Sequence, residues 1–503
     1  MGLTRRLFHQ LALGSAAFLG TGGAVGTANA QALRSAGPLT NGDFEPLGGQ
    51  PPQGARRSVD DFDYQVKYQR AFEAALWAMP ALAIYRFRAA ALEDLGLRDN
   101  DIIAYSAAAT ARLEATTANA STPYITAFTD LQDGPTVLEV PPAGENGSLY
   151  GQVVDAWQYT IADVGPSGLD AGKGGRYLFT PPGYDGPIPE GDLHVPSPNY
   201  RVAFAFRSVR GPGMSEADAY AYARRLRMYR LDQAANPPEQ VFFDPIDVRY
   251  PTMPLWGRAQ FEDIHAIVTV EPVKPEDRQV MGMLASLGIE RGKPFAPDDV
   301  AERAMTQASY DVWFYMQEWY DNFPRERLYW PDRHYASLLQ ADANRTFTWS
   351  YEDRIDTIDR AAEYFWCTYM PKTLSDSPAT QYMMALADST GALLEAGVTY
   401  RLDVPAEMPV EQFWALTVYD RATMGFIYTA ENRTTLSSYD LDKMTRNADG
   451  GVTIWVGPQA PEGRQDNWIP TAGKRPLPAM RLYGPTADFN EKRFKLPDFE
   501  RVG

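Results

Sequence analysis

Between Asp61 and about Leu95, apolar side chains recur at helical spacing. Phe72, Leu76 and Met79 share one face, which predicts a helix broken or kinked at Pro80. The period then shortens. From Tyr124 to Phe206, β-type runs alternate with turn residues: Thr136–Val140 lies between prolines, and Tyr200–Phe206 alternates large and small apolar side chains. Gly172-Lys173-Gly174-Gly175 lacks the Gly-Lys-Ser/Thr ending of a phosphate loop, and strand-like Arg176–Phe179 follows it, so it reads as a hairpin turn. Helical spacing returns in three places. Ser215 caps a helix reaching about Asp232, and a block from Lys274 to about Leu339 has its longest helix opening at Pro297-Asp298-Asp299. A third helix covers Tyr351 to about Met370. The last 130 residues or so are mostly strands: Tyr400–Val404, Phe413–Tyr419, Val452–Val456 and Met480–Tyr483, with a turn at Asn447–Gly451. Such spacing suggests a sandwich or jelly roll.

The start follows another logic. Thr4-Arg5-Arg6-Leu7-Phe8 precedes an apolar stretch from Leu11 to Leu19, and Ala28-Asn29-Ala30 ends it with small residues before Gln31. This is the pattern of a twin-arginine signal peptide, too short to span a bilayer, and it predicts a periplasmic or secreted mature chain. Residues 31–58, with Gly37-Pro38 and Pro51-Pro52, read as a flexible leader. The formal charge is −17, and −19 once the first 30 residues, with Arg5, Arg6 and no acid, are removed. That balance disfavours nucleic acid and anionic membrane surfaces as partners. Cys367 is the single cysteine, set in an aromatic run that suits a buried thiol. His194, His265 and His334 are scattered, so no transition-metal ligand set is expected. The abundant carboxylates leave room for an oxygen-ligated calcium or magnesium ion, and no other cofactor is implied.

Several blocks, in order, resemble a bacterial family of paired domains of unknown function, numbers 1254 and 1214. The first domain is carried by Thr117–Tyr124, Asp130–Pro135, Asp163-Val164-Gly165, Gly172–Gly175 and Pro181–Tyr184. Leu287–Phe295 matches the linking helices. Phe413–Asp420, Asn447–Gly450, Asn467–Pro470 and Arg481–Pro485 match the second domain. The resemblance spans about 60–503, and it implies a mainly β protein with helical additions. An N-terminal β-sandwich (59–257) and a helical linking region (258–345) would precede a C-terminal jelly-roll-like β-sandwich (346–503). It supplies no activity and no catalytic residues. Ala120-Ser121 stands where relatives often carry an acid, and Leu169 and Ala171 interrupt a usual Gly-Pro-Asp-Lys run.

Candidate chemistry therefore comes from residue types. Trp414, Tyr419, Asn467, Trp468, Arg481 and Tyr483, with Asn119 and Tyr124, mix aromatic faces with polar forks of the kind that bind sugars. Asp130, Asp420 and Asp449 are candidate catalytic carboxylates for glycoside cleavage, which needs two acids about 5–9.5 Å apart. The competing structural reading makes the aromatics sandwich core, Asp449-Gly450 a turn and Arg481 a satisfied ion-pair partner. No Gly-x-Ser-x-Gly elbow or placed histidine supports a serine hydrolase. Two functions stay open: an exported hydrolase or lyase acting on a glycan or similar polar polymer, and a non-catalytic ligand-binding or self-assembling protein. Either way, the cleft between the two sandwiches is the expected place for a small-molecule or glycan ligand, because domain junctions favour concave polar sites.

Overall fold

In the computed structural model of the chain, residues 49–51, 54–144, 147–209, 214–337, 349–372, 374 and 380–502 are described. The expected signal peptide and most of the leader lie outside them. Residues 1–60 form a unit of their own, and its described part contains no helix or strand. The rest of the description concerns residues 61–503.

The N-terminal module pairs two sheets. One runs, edge to edge, Phe242–Phe243, Ile102–Ala104, β1 (Tyr124–Asp130), β2 (Arg201–Val209), Ser148–Asp155 and Thr160–Val164. The other runs Arg227–Arg230, Thr136–Val140, Gly175–Thr180 and Leu193–Pro196. Leu138, Tyr177 and Phe179 of the second meet Ile125, Val153, Val202 and Phe204 of the first in one core. Gly172–Gly175 is thus not a hairpin turn: it carries the chain from Thr160–Val164 in one sheet to Gly175–Thr180 in the other. Asp170 holds this crossover, accepting from the amides of Gly165 and Gly174 and from the Tyr177 hydroxyl.

The C-terminal module repeats the scheme. A five-stranded antiparallel sheet has the order Tyr335–Ser337, β3 (Thr380–Ala385), β5 (Pro476–Pro485), β4 (Val410–Asp420), Thr435–Ser437. It faces a sheet of Trp468–Pro470, Val452–Gly457, Thr399–Val404 and Glu500–Val502 across Leu402, Leu416, Ile454, Met480 and Leu482. Neither sheet closes into a barrel. The protein is a mixed α/β architecture of sandwich-like sheets separated by helices.

Those helices are α1 (Phe62–Glu93), α3 (Arg258–Val270), α4 (Arg278–Ala285), α5 (Asp299–Asp321) and α6 (Thr357–Trp366), with α2 (Glu216–Ala223) lying on the N-terminal module. They form a third core between the outer faces of both sandwiches. Ile103, Phe128 and Ala203 enter it from one side, and Met384, Tyr419 and Ala479 from the other. Strict alternation is the cause: Met383, Val418 and Met480 point into the C-terminal sandwich while the adjacent Met384, Tyr419 and Ala479 point into the helices. Sheets covered on both faces read as nearly continuous apolar runs, as Phe413–Tyr419 does.

Local chemistry sets the helix ends. Ser215 and Asp218 make a capping box for α2, and Asp298 accepts from Ala301 N to start α5. The helix α2 stops at Ala223, short of Asp232, because Arg227–Arg230 joins a sheet instead. The sequence pattern had not isolated α3, which opens on Gly257 at φ +75° with no side-chain cap. Pro80 does not break α1. The helix runs through it, while the carbonyls of Trp77 and Pro80 accept from Arg360 Nη2 (3.1 Å) and Gln158 Nε2 (3.0 Å). None of the described helices is long and apolar enough to cross a membrane.

Two acids in this layer tie stability to pH. Burial, against the pull of Arg86 at 3.5 Å, pushes Asp263 up to about 7. Burial likewise pushes Glu271 up to about 7, although the amides of Tyr200 and Arg201 donate to it. Both titrate near pH 4 in an unfolded chain. Between about pH 4 and 7 the folded state holds protons that the unfolded state has lost, so stability falls as pH rises through that window. The melting temperature should be higher at pH 5 than at pH 7.5, with a smaller difference in Asp263→Asn. A melting temperature that climbs from pH 5 to 7 would contradict this.

Candidate functional site

The two modules meet where the Thr117–Tyr124 segment lies against the helix-side face of the five-stranded C-terminal sheet. Alternation along β5 sends Leu482 into the sandwich core and Arg481 and Tyr483 outward. Arg481 lies opposite Tyr382 on β3 and Ala415 on β4. From the N-terminal module, Tyr124 on β1 pairs in register with Arg207 on β2, whose guanidinium sits 4.6 Å from the Tyr124 ring centre.

Contacts across the junction are dense. Asn119 Nδ2 donates to the Tyr483 hydroxyl at 2.8 Å, and Asn119 N donates to the Tyr124 hydroxyl at 2.7 Å. Ser121 Oγ lies 2.8 Å from the same Tyr483 oxygen. The Tyr419 hydroxyl donates to Ala118 O at 2.5 Å. Arg481 Nη2 reaches Thr117 O, Ala118 O and the Tyr419 oxygen at 2.8, 3.0 and 2.6 Å. Thr117 sits at φ +47°, which turns these carbonyls towards the guanidinium.

The arginines are unusual. Arg481 is 2 % exposed, yet its Nε and Nη1 have no hydrogen-bond acceptor among the described residues. With Nη2 saturated, three of its five N–H groups are unused. Arg207 bonds to Thr122, through Oγ1 at 2.6 Å and the carbonyl at 3.5 Å. Among the described residues, neither makes a carboxylate ion pair; instead the phenols of Tyr124, Tyr382 and Tyr483 surround both. Burial works against charge on each guanidinium, but these phenol oxygens outweigh it and hold both protonated. Tyr382, half-buried between them, is pushed up to about 12, chiefly by burial, and makes no side-chain hydrogen bond among the described residues. A buried cation with no counter-charge costs several kcal/mol. The arrangement is a buried, positively charged cluster of Arg481 and Arg207 among phenols, with spare N–H groups of the kind that suit an oxyanion.

Five expected site residues therefore converge: Asn119, Tyr124, Tyr419, Arg481 and Tyr483. The others lie elsewhere. Trp414 points into the C-terminal core. Asn467 is spent on the backbone of Thr445 and Thr453, and Trp468 Nε1 donates to Gly457 O. Asp420 accepts from Ala422 N with Lys474 at 3.6 Å, and Asp449 accepts from Gly451 N, each closing its own turn. Asp130 is six residues from Tyr124 along β1, about 20 Å away. It lies there 3.7 Å from Arg201, which lines a different cavity together with Asp155 and Glu271. Among the described residues, no group of three or more His, Cys, Asp or Glu is placed to hold a metal ion. Sequence reasoning missed Arg207 and Tyr382. An arginine directly after the apolar run Ala203–Phe206, on the same strand, was the available signal for the first.

The two modules define the class of protein. Residues 100–230 match the family model described as a protein of unknown function, DUF1254, and residues 379–487 match DUF1214. The chain contains both domains in this order, and so has the paired-domain architecture. Its fold is similar to that of the VPA0106 protein from Vibrio parahaemolyticus, at 17 % identity over 87 % of this chain and 100 % of that one, with a TM-score of 0.52. An uncharacterised protein from Burkholderia cenocepacia aligns at 12 % identity over 88 % and 95 %, with a TM-score of 0.38. No curated protein matches the chain.

Proposed function

We propose that the mature protein captures an oxyanion-bearing polar ligand, such as an acidic glycan, at the Arg481–Arg207 cluster where its two modules meet. The observation that carries this reading is Arg481: buried, charged, and, among the described residues, with three N–H groups unused and no carboxylate partner. Guanidinium forks match carboxylate, sulfate and phosphate oxygens, and phenol rings cover the apolar face of a sugar. Binding is favoured over hydrolysis by carboxylate pairs, because Asp130, Asp420 and Asp449 are each engaged away from this cluster. Calorimetric titration of the mature chain with glucuronate or galacturonate oligosaccharides, beside their neutral glucose and galactose counterparts, tests it. Saturable binding of the acidic series alone is expected; equal binding of both series sinks the proposal.

The same reading makes the protein periplasmic or secreted, carried out by the twin-arginine route, with cleavage before Gln31. The sandwich boundaries at 59–257 and 346–503, and a jelly-roll relationship for the second, belong to it as well. Replacing Arg5 and Arg6 by lysine should abolish export, read as full-length precursor kept in the cytoplasm. Normal export of that double variant would remove the twin-arginine assignment.

A further inference from the structure

Two buried carboxyl groups join α3 to its neighbours. Asp263, in its second turn, faces α1, where Arg86 lies 3.5 Å away, and its Oδ2 has no hydrogen-bond partner among the described residues. Glu271, the C-cap residue, reaches back to the N-terminal sheet and accepts from the amides of Tyr200 at 2.8 Å and Arg201 at 3.2 Å. Beside it lies a void of about 20 Å³, room enough for a water molecule, lined by Tyr85, Arg88, Asp155, Arg201 and Ile267 among others. The other polar ties of α3 are at its surface. Arg258 pairs with Glu302 of α5 at 2.7 Å, His265 Nε2 lies 2.8 Å from Lys293 O, and Arg291 donates to the Thr269 and Val270 carbonyls at 3.3 Å. Such exposed contacts hold a helix weakly. The helix also opens on Gly257 without a side-chain cap.

We propose that α3 is a proton-operated latch: while Asp263 and Glu271 hold their protons it stays docked between α1 and the N-terminal sheet, and on losing them it lifts locally away. Ionising either acid in place buries a charge with no cation to itself. Arg86, beside Asp263, also lies 4.0 Å from Glu93, and Glu262 on the same helix adds repulsion. Arg201, beside Glu271, lies 3.7 Å from Asp130, while Arg88 is taken by Asp99 at 2.5 Å and Asp155 shares the void. Tyr85, whose phenol burial pushes up, faces both Asp263 and Arg201 from α1. Burial accordingly holds both carboxyls up to about 7, whereas in the lifted helix they return to about 4. Between those values the docked helix keeps protons that the lifted one gives up. Lifting therefore becomes easier as pH rises from about 4 to about 7, by about tenfold per pH unit for each acid, and levels off above. The pH-dependent loss of stability is thereby localised in one helix.

The latch is independent of the oxyanion cluster, and either can fail alone. Its test is hydrogen–deuterium exchange of the mature chain at pH 5 and pH 8, corrected for the intrinsic pH dependence of amide exchange. Protection of the Ile264–Val270 amides should fall by about a hundredfold or more between the two pH values. At pH 8 these amides should also exchange at least about tenfold faster than those of α5, because the opening is local rather than global. Asp263→Asn combined with Glu271→Gln, which keeps the shape of the protonated acids, should hold α3 protection nearly constant from pH 5 to pH 8. The comparison of α3 with α5 in the parent needs no variant to fold. Constant α3 protection in the parent, equal protection of α3 and α5 at pH 8, or an undiminished pH dependence in the double variant would overturn the proposal.

Discussion

Replacing Arg481 by methionine is expected to weaken binding of the acidic ligand by a hundredfold or more. The variant loses at least two charge-assisted hydrogen bonds from Nε and Nη1, each worth about 1.5–3 kcal/mol. Together they make about 3 kcal/mol or more, which corresponds to at least about a hundredfold in affinity. The unliganded protein should change less. Methionine also forfeits the Nη2 bonds to Thr117 and Ala118, but it removes a buried charge that has no counter-ion. Arg481→Lys keeps the charge but not the fork, and should recover only part of the affinity. Tyr382→Phe, which touches no internal hydrogen bond, should cost about tenfold, in line with one hydrogen bond of about 1.5 kcal/mol, and leave melting unchanged. Full affinity in the methionine variant, by the same calorimetry, would remove Arg481 from the site.

The largest expected loss of stability comes from Gln158. It is 1 % exposed and sits at φ +62°. Its Nε2 donates to Pro80 O and Thr368 O, and its Oε1 accepts from Met370 N. One side chain thus joins the proline turn of α1, the N-terminal sheet and the segment leading to the C-terminal module. Gln158→Ala leaves three buried backbone groups without this partner, at about 1–3 kcal/mol each. A loss of about 3 kcal/mol or more is expected in chemical denaturation. A change below about 0.5 kcal/mol, the usual range of surface substitutions, would show that the joint relaxes without it.

Much of this was legible in the chain, and the remainder failed for identifiable reasons. Period-2 runs located β4 and β5 because strand alternation acts residue by residue, and Asp298 and Ser215 announced their helices through cap chemistry. The crossover at Gly172–Gly175 was misread because a turn between sheets and a turn within one use the same glycines. Among site residues, Asn119, Tyr124, Tyr419, Arg481 and Tyr483 were foreseeable as a group from the expected meeting of two modules. Arg207 and Tyr382 became visible only with strand register, which sets Arg207 beside Tyr124 and Tyr382 beside Arg481.

The hydrogen bonds that close the junction join residues very far apart in the chain: Thr116 to Thr368, Arg360 to Trp77, and Asn119 to Tyr483. Ordering such contacts is slow, since the entropy of closing long loops precedes any reward. A growing chain that has reached Val209 holds every strand of the larger N-terminal sheet except Phe242–Phe243, together with α1, but not α3–α6, which later complete the layer over its helix-facing side. The Thr117–Asn119 turn waits for Trp366 and Cys367 and then for Arg481 and Tyr483, which lie 364 residues further along the chain than Thr117 and Asn119. The junction therefore closes only once both modules have been made. Until then it exposes an apolar layer that a chaperone would recognise.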